Sequence, residues 1–168
     1  MRDLTGYGSK EYLFCWPNQA KVAINFVVNY EEGSELTPVN GDLQAETSGA
    51  DFPFSFKGEG NRNLSMESFY EYGSRAGLWR LLRLFDHYQI PLTFFATGHA
   101  LALNPLLAEY LTLQHHEVAG HGWRWIDYAH IPKKIEKEHM LLCIKTLQKL
   151  TGQRPKGWCS PTLNQKDG

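Results

Sequence analysis

Val22-Ala23-Ile24-Asn25-Phe26-Val27-Val28-Asn29-Tyr30-Glu31-Glu32-Gly33 decides how this chain is read. The segment opens on a nearly continuous apolar run, which predicts a strand over 21–31 buried on both faces. The run then delivers two adjacent carboxylates onto a glycine turn. Burying a carboxylate is costly unless it is paired, protonated or in use. A strand that ends in solvated acids is the plain alternative, and the rest of the sequence has to separate the two.

Residues 1–20 are rich in turn formers and read as an irregular N-terminal arm. Residues 33–64 carry seven glycines and prolines and read as a long loop, a feature that in a compact domain is usually functional or mobile. Ser68-Phe69-Tyr70-Glu71 has capping-box spacing. Leu78, Leu81, Leu82 and Phe85 then fall on one helical face. Leu92-Thr93-Phe94-Phe95-Ala96 reads as a second buried strand. Asn104-Pro105 starts a helix with Leu107, Tyr110 and Leu111 inside. Residues 117–122 read as a third strand. Pro132 opens a helix with Met140, Cys143, Ile144 and Leu147 as its stripe, and Gly152 ends it. Gly157-Trp158-Cys159 begins a fourth strand.

The order β-α-β-α-β-α-β makes the fold class α/β, with parallel strands joined by right-handed crossovers in a sheet or barrel. Active sites in such folds lie at the C-terminal ends of the strands. Glu31 and Glu32 fall there after the first strand, His121 and Arg124 after the third, and Arg154 near the fourth. With strand order breaking at Gly33, both glutamates are expected to reach the rim.

The chain has 168 residues, is 42% hydrophobic and 13% aromatic, and so can build one core. Its net charge of -1, from 17 basic and 18 acidic residues, gives no reason to expect a nucleic-acid or anionic-membrane partner. Cys15, Cys143 and Cys159 are scattered and odd in number, which signals neither a disulfide framework nor a thiolate metal site. No apolar stretch approaches the ~20 residues of a membrane span, and no signal-peptide pattern is visible at Met1. A cytoplasmic setting is the default expectation.

A rim carboxylate serves as general base when its pKa approaches working pH. His121 suits a general acid, an oxyanion donor or a metal ligand. Arg124 and Arg154 suit the binding of an oxyanion or a polar substrate. Trp123 and Trp125 suit the walls of a small pocket, with core packing the equal alternative. His115, His116, His130 and His139 read as ordinary surface or helix positions.

Several segments together resemble one family. They are 2–8, Asn29-Tyr30-Glu31-Glu32-Gly33, 65–77 with its Tyr-Gly-Ser-Arg core, His121-Gly122-Trp123-Arg124-Trp125-Ile126-Asp127-Tyr128, and Arg154-Pro155-Lys156-Gly157-Trp158. The likeness is to the NodB-type polysaccharide deacetylase superfamily, and within it to the allantoinase branch. It implies the N-terminal portion of a NodB-like (β/α) barrel, truncated, with residues 1–168 forming one incomplete domain. By position it gives Glu31 the role of catalytic base, and it sets Glu32 and His121 where deacetylases bind a metal. Trp125 falls where a second metal histidine stands in that family. An indole offers a metal no lone pair, so no cofactor is expected, with zinc held by Glu32 and His121 as the alternative.

The resemblance implies a hydrolase of non-peptide C–N bonds acting on a small allantoin-like substrate. The reaction expected is opening of a hydantoin ring, allantoin to allantoate, a step of purine breakdown. In this expectation Glu31, or Glu32, activates water and His121 serves the oxyanion or leaving nitrogen. Arg124 or Arg154 orients the substrate, and Trp123 and Trp125 enclose it. The rival expectations are a metal-dependent deacetylase of N-acetylated sugars and an inactive remnant or interaction half. Open edges and the family likeness also suggest a homo-oligomer.

Overall fold

The computed structural model describes residues 4–9, 14–49 and 60–162. Three parallel strands, β1 (Phe26–Tyr30), β2 (Leu92–Ala96) and β3 (Glu117–Gly120), pair in the order β1-β2-β3. Phe26 lies opposite Leu92, and Thr93 opposite Glu117. The expected fourth strand is a single parallel bridge between Gly120 and Trp158. Among the described residues, helices cover one face of the sheet. Side chains alternate across a strand, so Tyr30, Leu92, Phe94 and Ala96 point into the helix layer and are buried. Val27 points the other way and is 43% exposed.

The expectation of a strand over 21–31 buried on both faces is therefore corrected. β1 is five residues long, lies at the sheet edge and has β2 as its partner among the described residues. An apolar run cannot reveal whether something covers its second face, because that depends on other chain segments.

The helix layer consists of α1 (Leu64–Tyr72), α2 (Leu78–His87), α3 (Gly98–Leu103), α4 (Pro105–Leu113) and α5 (Lys133–Thr151). Leu78, Leu82, Leu101, Leu107, Leu111, Cys143 and Leu147 meet the buried sheet face in one core. α1 starts earlier than the Ser68 capping box suggests. Asn63 is the cap, its side chain accepting from the Met66 N–H at 3.3 Å. Ser68 lies inside the helix, where its hydroxyl donates to the Ser65 carbonyl. A five-residue π-turn, Gly73–Gly77, joins α1 to α2 without a break. Asn104 caps α4 as expected, and Gly152 ends α5 at φ 72°. The short α3 went unforeseen. Thr97 caps it from the end of β2.

Within the arm, residues 4–9 and 14–20 are exposed; in the long loop, Pro38–Asn40 makes one 3-10 turn. The remainder of both expected regions, positions 1–3, 10–13 and 50–59, lies outside the described residues, as does 163–168. No helix among the described residues is long and apolar enough to cross a membrane.

Candidate active site

The chain leaves β1 through a tight turn over Glu31-Glu32-Gly33-Ser34. The Ser34 N–H donates to the Glu31 carbonyl at 2.9 Å. Gly33 sits at φ 91°, and a Cβ there would lie 2.9 Å from Leu103 Cδ1, so this turn position needs glycine. The turn sends the two glutamates apart. Glu31 Oε1 meets His121 Nε2 at 2.7 Å, and His121 is 2% exposed. Glu32 instead turns back, accepting from the Glu31 N–H at 3.1 Å. Its Oε1 lies 2.7 Å from where a Cβ on Gly73 would stand. Only Glu31 reaches the His121 side of the rim, so the expectation that both glutamates share it is corrected.

His121 is fixed from its other side. Nδ1 lies 2.9 Å from the Cys159 carbonyl, which can only accept. Nδ1 therefore carries a proton and donates. Nε2 and Glu31 then share one further proton, as imidazolium with carboxylate or as imidazole with carboxylic acid. Phe95 stacks against the imidazole with ring centres 6.0 Å apart.

Arg124 is occupied within the protein. Its guanidinium reaches both carboxylate oxygens of Asp42 at 2.9 and 2.6 Å and the carbonyls of Ser34 and Glu35. Burial alone would raise the Asp42 pKa, but hydrogen bonds and charge from Arg124 outweigh it and hold the carboxyl below its ordinary value. The substrate-binding role expected for Arg124 is replaced by a clamp between the loop after β1 and the loop after β3. Arg154 is exposed and precedes the Trp158 bridge by four residues. The parallel strand direction puts it at the N-terminal end of the sheet, away from the rim, so it too is removed from the site.

Trp123 packs on the first turn of α3. A Cβ on Gly98 would meet its ring at 2.8 Å, and it makes an edge contact with His99. These are packing contacts with the start of α3, and the side chain is half-buried. Trp125 does stand at the rim. Its ring and the Tyr70 hydroxyl both lie within 3.5 Å of the Cβ position of Gly49.

Several site residues escaped the sequence. Ser34 and Thr97 are fully buried hydroxyls at the strand ends. Tyr70, Glu35 and Asn40 line a cavity of about 670 Å³ beside Glu32, between the turn, α1 and α4. Burial raises the pKa of both Glu32 and Glu35. It raises that of Tyr70 as well, leaving a neutral phenol whose hydroxyl donates to the Ser48 carbonyl. Of the histidines set aside, His115 and His130 are exposed as expected. His139 is a helix position in α5, as expected, but His116 is not an ordinary surface group. His116 Nδ1 accepts from the Leu92 N–H, and His139 meets the Tyr128 hydroxyl at 3.0 Å.

A catalytic zinc site needs three protein ligands and an open position. The residues present do not fit one: Glu31 is engaged by His121, Glu32 faces the helix layer, and Trp125 has no donor atom for a metal. Among the described residues no three His, Cys, Asp or Glu side chains come together as a metal set.

Parallel strands alternating with helices, with a carboxylate–imidazole pair beyond the strand ends, define a partial (β/α) architecture. The sequence model for polysaccharide deacetylases matches residues 63–167, and the chain belongs to that family. A Schizosaccharomyces pombe protein named as a polysaccharide deacetylase is 38% identical over 161 residues, 94% of this chain and 50% of that one. The crystal structure of PuuE allantoinase superposes with a TM-score of 0.82 at 47% identity, over 94% of this chain and 52% of that one. A Pseudomonas aeruginosa structure, named for the polysaccharide deacetylases, matches with the same figures. The chain spans about half the length of these relatives.

Proposed function

We propose that this chain supplies the carboxylate–imidazole half of a C–N hydrolase site, and that its reaction is hydrolytic opening of a cyclic ureide such as allantoin. The observation behind this reading is the 2.7 Å contact between Glu31 and a His121 whose other nitrogen is pinned to the Cys159 carbonyl. In the ion-pair form, Glu31 takes a proton from water as the oxygen attacks the ring carbonyl. The C–O bond forms, and the C–N bond breaks as His121 passes its Nε2 proton to the leaving nitrogen. The proton on Glu31 then moves to His121 and restores the pair.

Glu31→Gln should lower ureide hydrolysis by at least ~100-fold, measured as allantoate released by the purified chain. A fully active variant would remove Glu31 from the role of base. Likeness to PuuE allantoinase at 47% identity favours the ureide. The names of the S. pombe and P. aeruginosa relatives favour a second reading, deacetylation of an N-acetylated sugar. Acetate release from chitooligosaccharide, with no ureide turnover, would select it.

A further inference from the structure

Glu31 reaches His121 only if the turn that carries it holds one orientation, and two buried hydroxyls at the strand ends control that turn. We propose that Ser34 and Thr97 are positioning residues that fix the direction of the Glu31 carboxylate, an inference that rests on Glu31 and His121 being the reacting pair. Both side chains are 0% exposed. Thr97 Oγ1 donates to Ser34 Oγ at 2.9 Å. Ser34 Oγ donates in turn to the Glu31 carbonyl at 2.6 Å.

The direction of this relay is forced. A hydroxyl has one proton and two lone pairs. Ser34 Oγ spends its proton on the Glu31 carbonyl and its lone pairs on Thr97 Oγ1 and the Trp125 N–H, 3.3 Å away. Thr97 Oγ1 accepts from the Ala100 N–H at 3.4 Å, leaving its own proton for Ser34. Hydroxyls aligned this way polarise one another in a dry setting. The Glu31 carbonyl also accepts the Ser34 N–H. One residue thus grips the Glu31 peptide twice.

The node also joins all three strand ends. Thr97 follows β2, its N–H donating to the Tyr30 carbonyl at the end of β1, and Trp125 follows β3. With the peptide held, the Glu31 side chain leaves toward His121 while that of Glu32 leaves toward Gly73. Without the Ser34 hydroxyl the Glu31 carbonyl keeps a single hydrogen bond, from the Ser34 N–H, and the carboxylate can swing away from the imidazole.

The test reads the His121 ring proton that faces Glu31, by NMR of the full 168-residue chain without substrate, assigned by its loss in His121→Asn. In the unsubstituted chain this proton should be protected from solvent exchange. Thr97→Val keeps the side-chain shape and removes the hydroxyl, and should speed exchange by at least tenfold. Thr97→Ser keeps the hydroxyl and should leave exchange unchanged. The double variant Ser34→Ala/Thr97→Val removes both partners together, leaves no orphan hydroxyl, and should lose protection as Thr97→Val does. It serves if Thr97→Val does not fold.

An unprotected proton in the unsubstituted chain overturns the proposal. So does equal behaviour of the Val and Ser variants, or protection kept in the double variant. If ureide turnover is measurable, Thr97→Val should lower kcat about tenfold with KM unchanged. A chain inactive on both substrate classes would sink the functional reading and leave the exchange result standing.

Discussion

At Glu31 the carboxylate meets an imidazole at 2.7 Å, while the half-buried Glu32 and the buried Glu35 lie beside a cavity and have no ion pair among the described residues. Burial raises the Glu35 pKa above its ordinary value of 4.5. A raised pKa means that the folded state holds the proton more tightly than the unfolded chain. Stability from this group is therefore full below about pH 4.5 and is lost as pH rises. Glu35→Gln keeps an acceptor for the Gly33 N–H, 2.7 Å away, and cannot ionise. Its melting temperature should exceed that of the unsubstituted chain at pH 7 and equal it at pH 4. An equal gain at both values would show that charge is not the cause. His116 works in the opposite sense. Burial lowers its pKa, and its Nδ1 accepts from the Leu92 N–H, a bond that needs an unprotonated nitrogen. Protonation favours the unfolded chain, so this contribution is present above the ordinary value of 6.5 and lost as pH falls below it.

The elements owe their ends to specific contacts. Asn104 caps α4, and its amide also donates to the Tyr30 hydroxyl at 2.9 Å, tying the helix to the end of β1. Asn104→Ala should cost about 1 kcal/mol for the cap, read by denaturant unfolding. A change indistinguishable from zero would mean the cap is replaced by solvent. β3 approaches Trp158 so closely that a Cβ on Gly120 would lie 2.3 Å from the indole ring. Gly120→Ala must displace Trp158 and break the bridge between them, at a cost of about 1–3 kcal/mol. The five tryptophans make the displacement visible as a change in near-ultraviolet circular dichroism. In α5, Leu147 is fully buried, and Leu147→Ala should cost about 2–5 kcal/mol.

At the scale of the whole fold, large apolar side chains stand exposed along one edge of the sheet. Phe26, Val27, Leu81 and Leu84 are all more than 40% exposed at or near the β1 edge. An unpaired, apolar edge strand is a template for association. Val27→Lys places a charge on the uncovered face and leaves the helix-side core untouched. It should lower self-association, measured as mass in solution across a concentration series, with the melting temperature unchanged. A monomer at every concentration in the unsubstituted chain would show that the open face does not drive association.

The sequence by itself determined the alternation of strand and helix, the parallel sheet, and the placement of Glu31 and His121 at the strand ends. These follow from local periodicity and from caps such as Asn104 and Gly152, which act over a few residues. Glu31 and His121 were legible because position along a strand fixes which end of the sheet a residue reaches. Tertiary structure decided what each rim residue does. Glu32 differs from Glu31 through a turn whose geometry depends on Gly33 meeting Leu103. Arg124 has a free guanidinium in one dimension and one engaged by four hydrogen bonds in three, because Asp42 lies 82 positions away. Ser34 and Thr97 carry no signal at all, since an ordinary hydroxyl becomes a structural node only when partners from three strands bury it. Burial and pairing between distant residues are properties of the packed chain, and local pattern cannot encode them legibly.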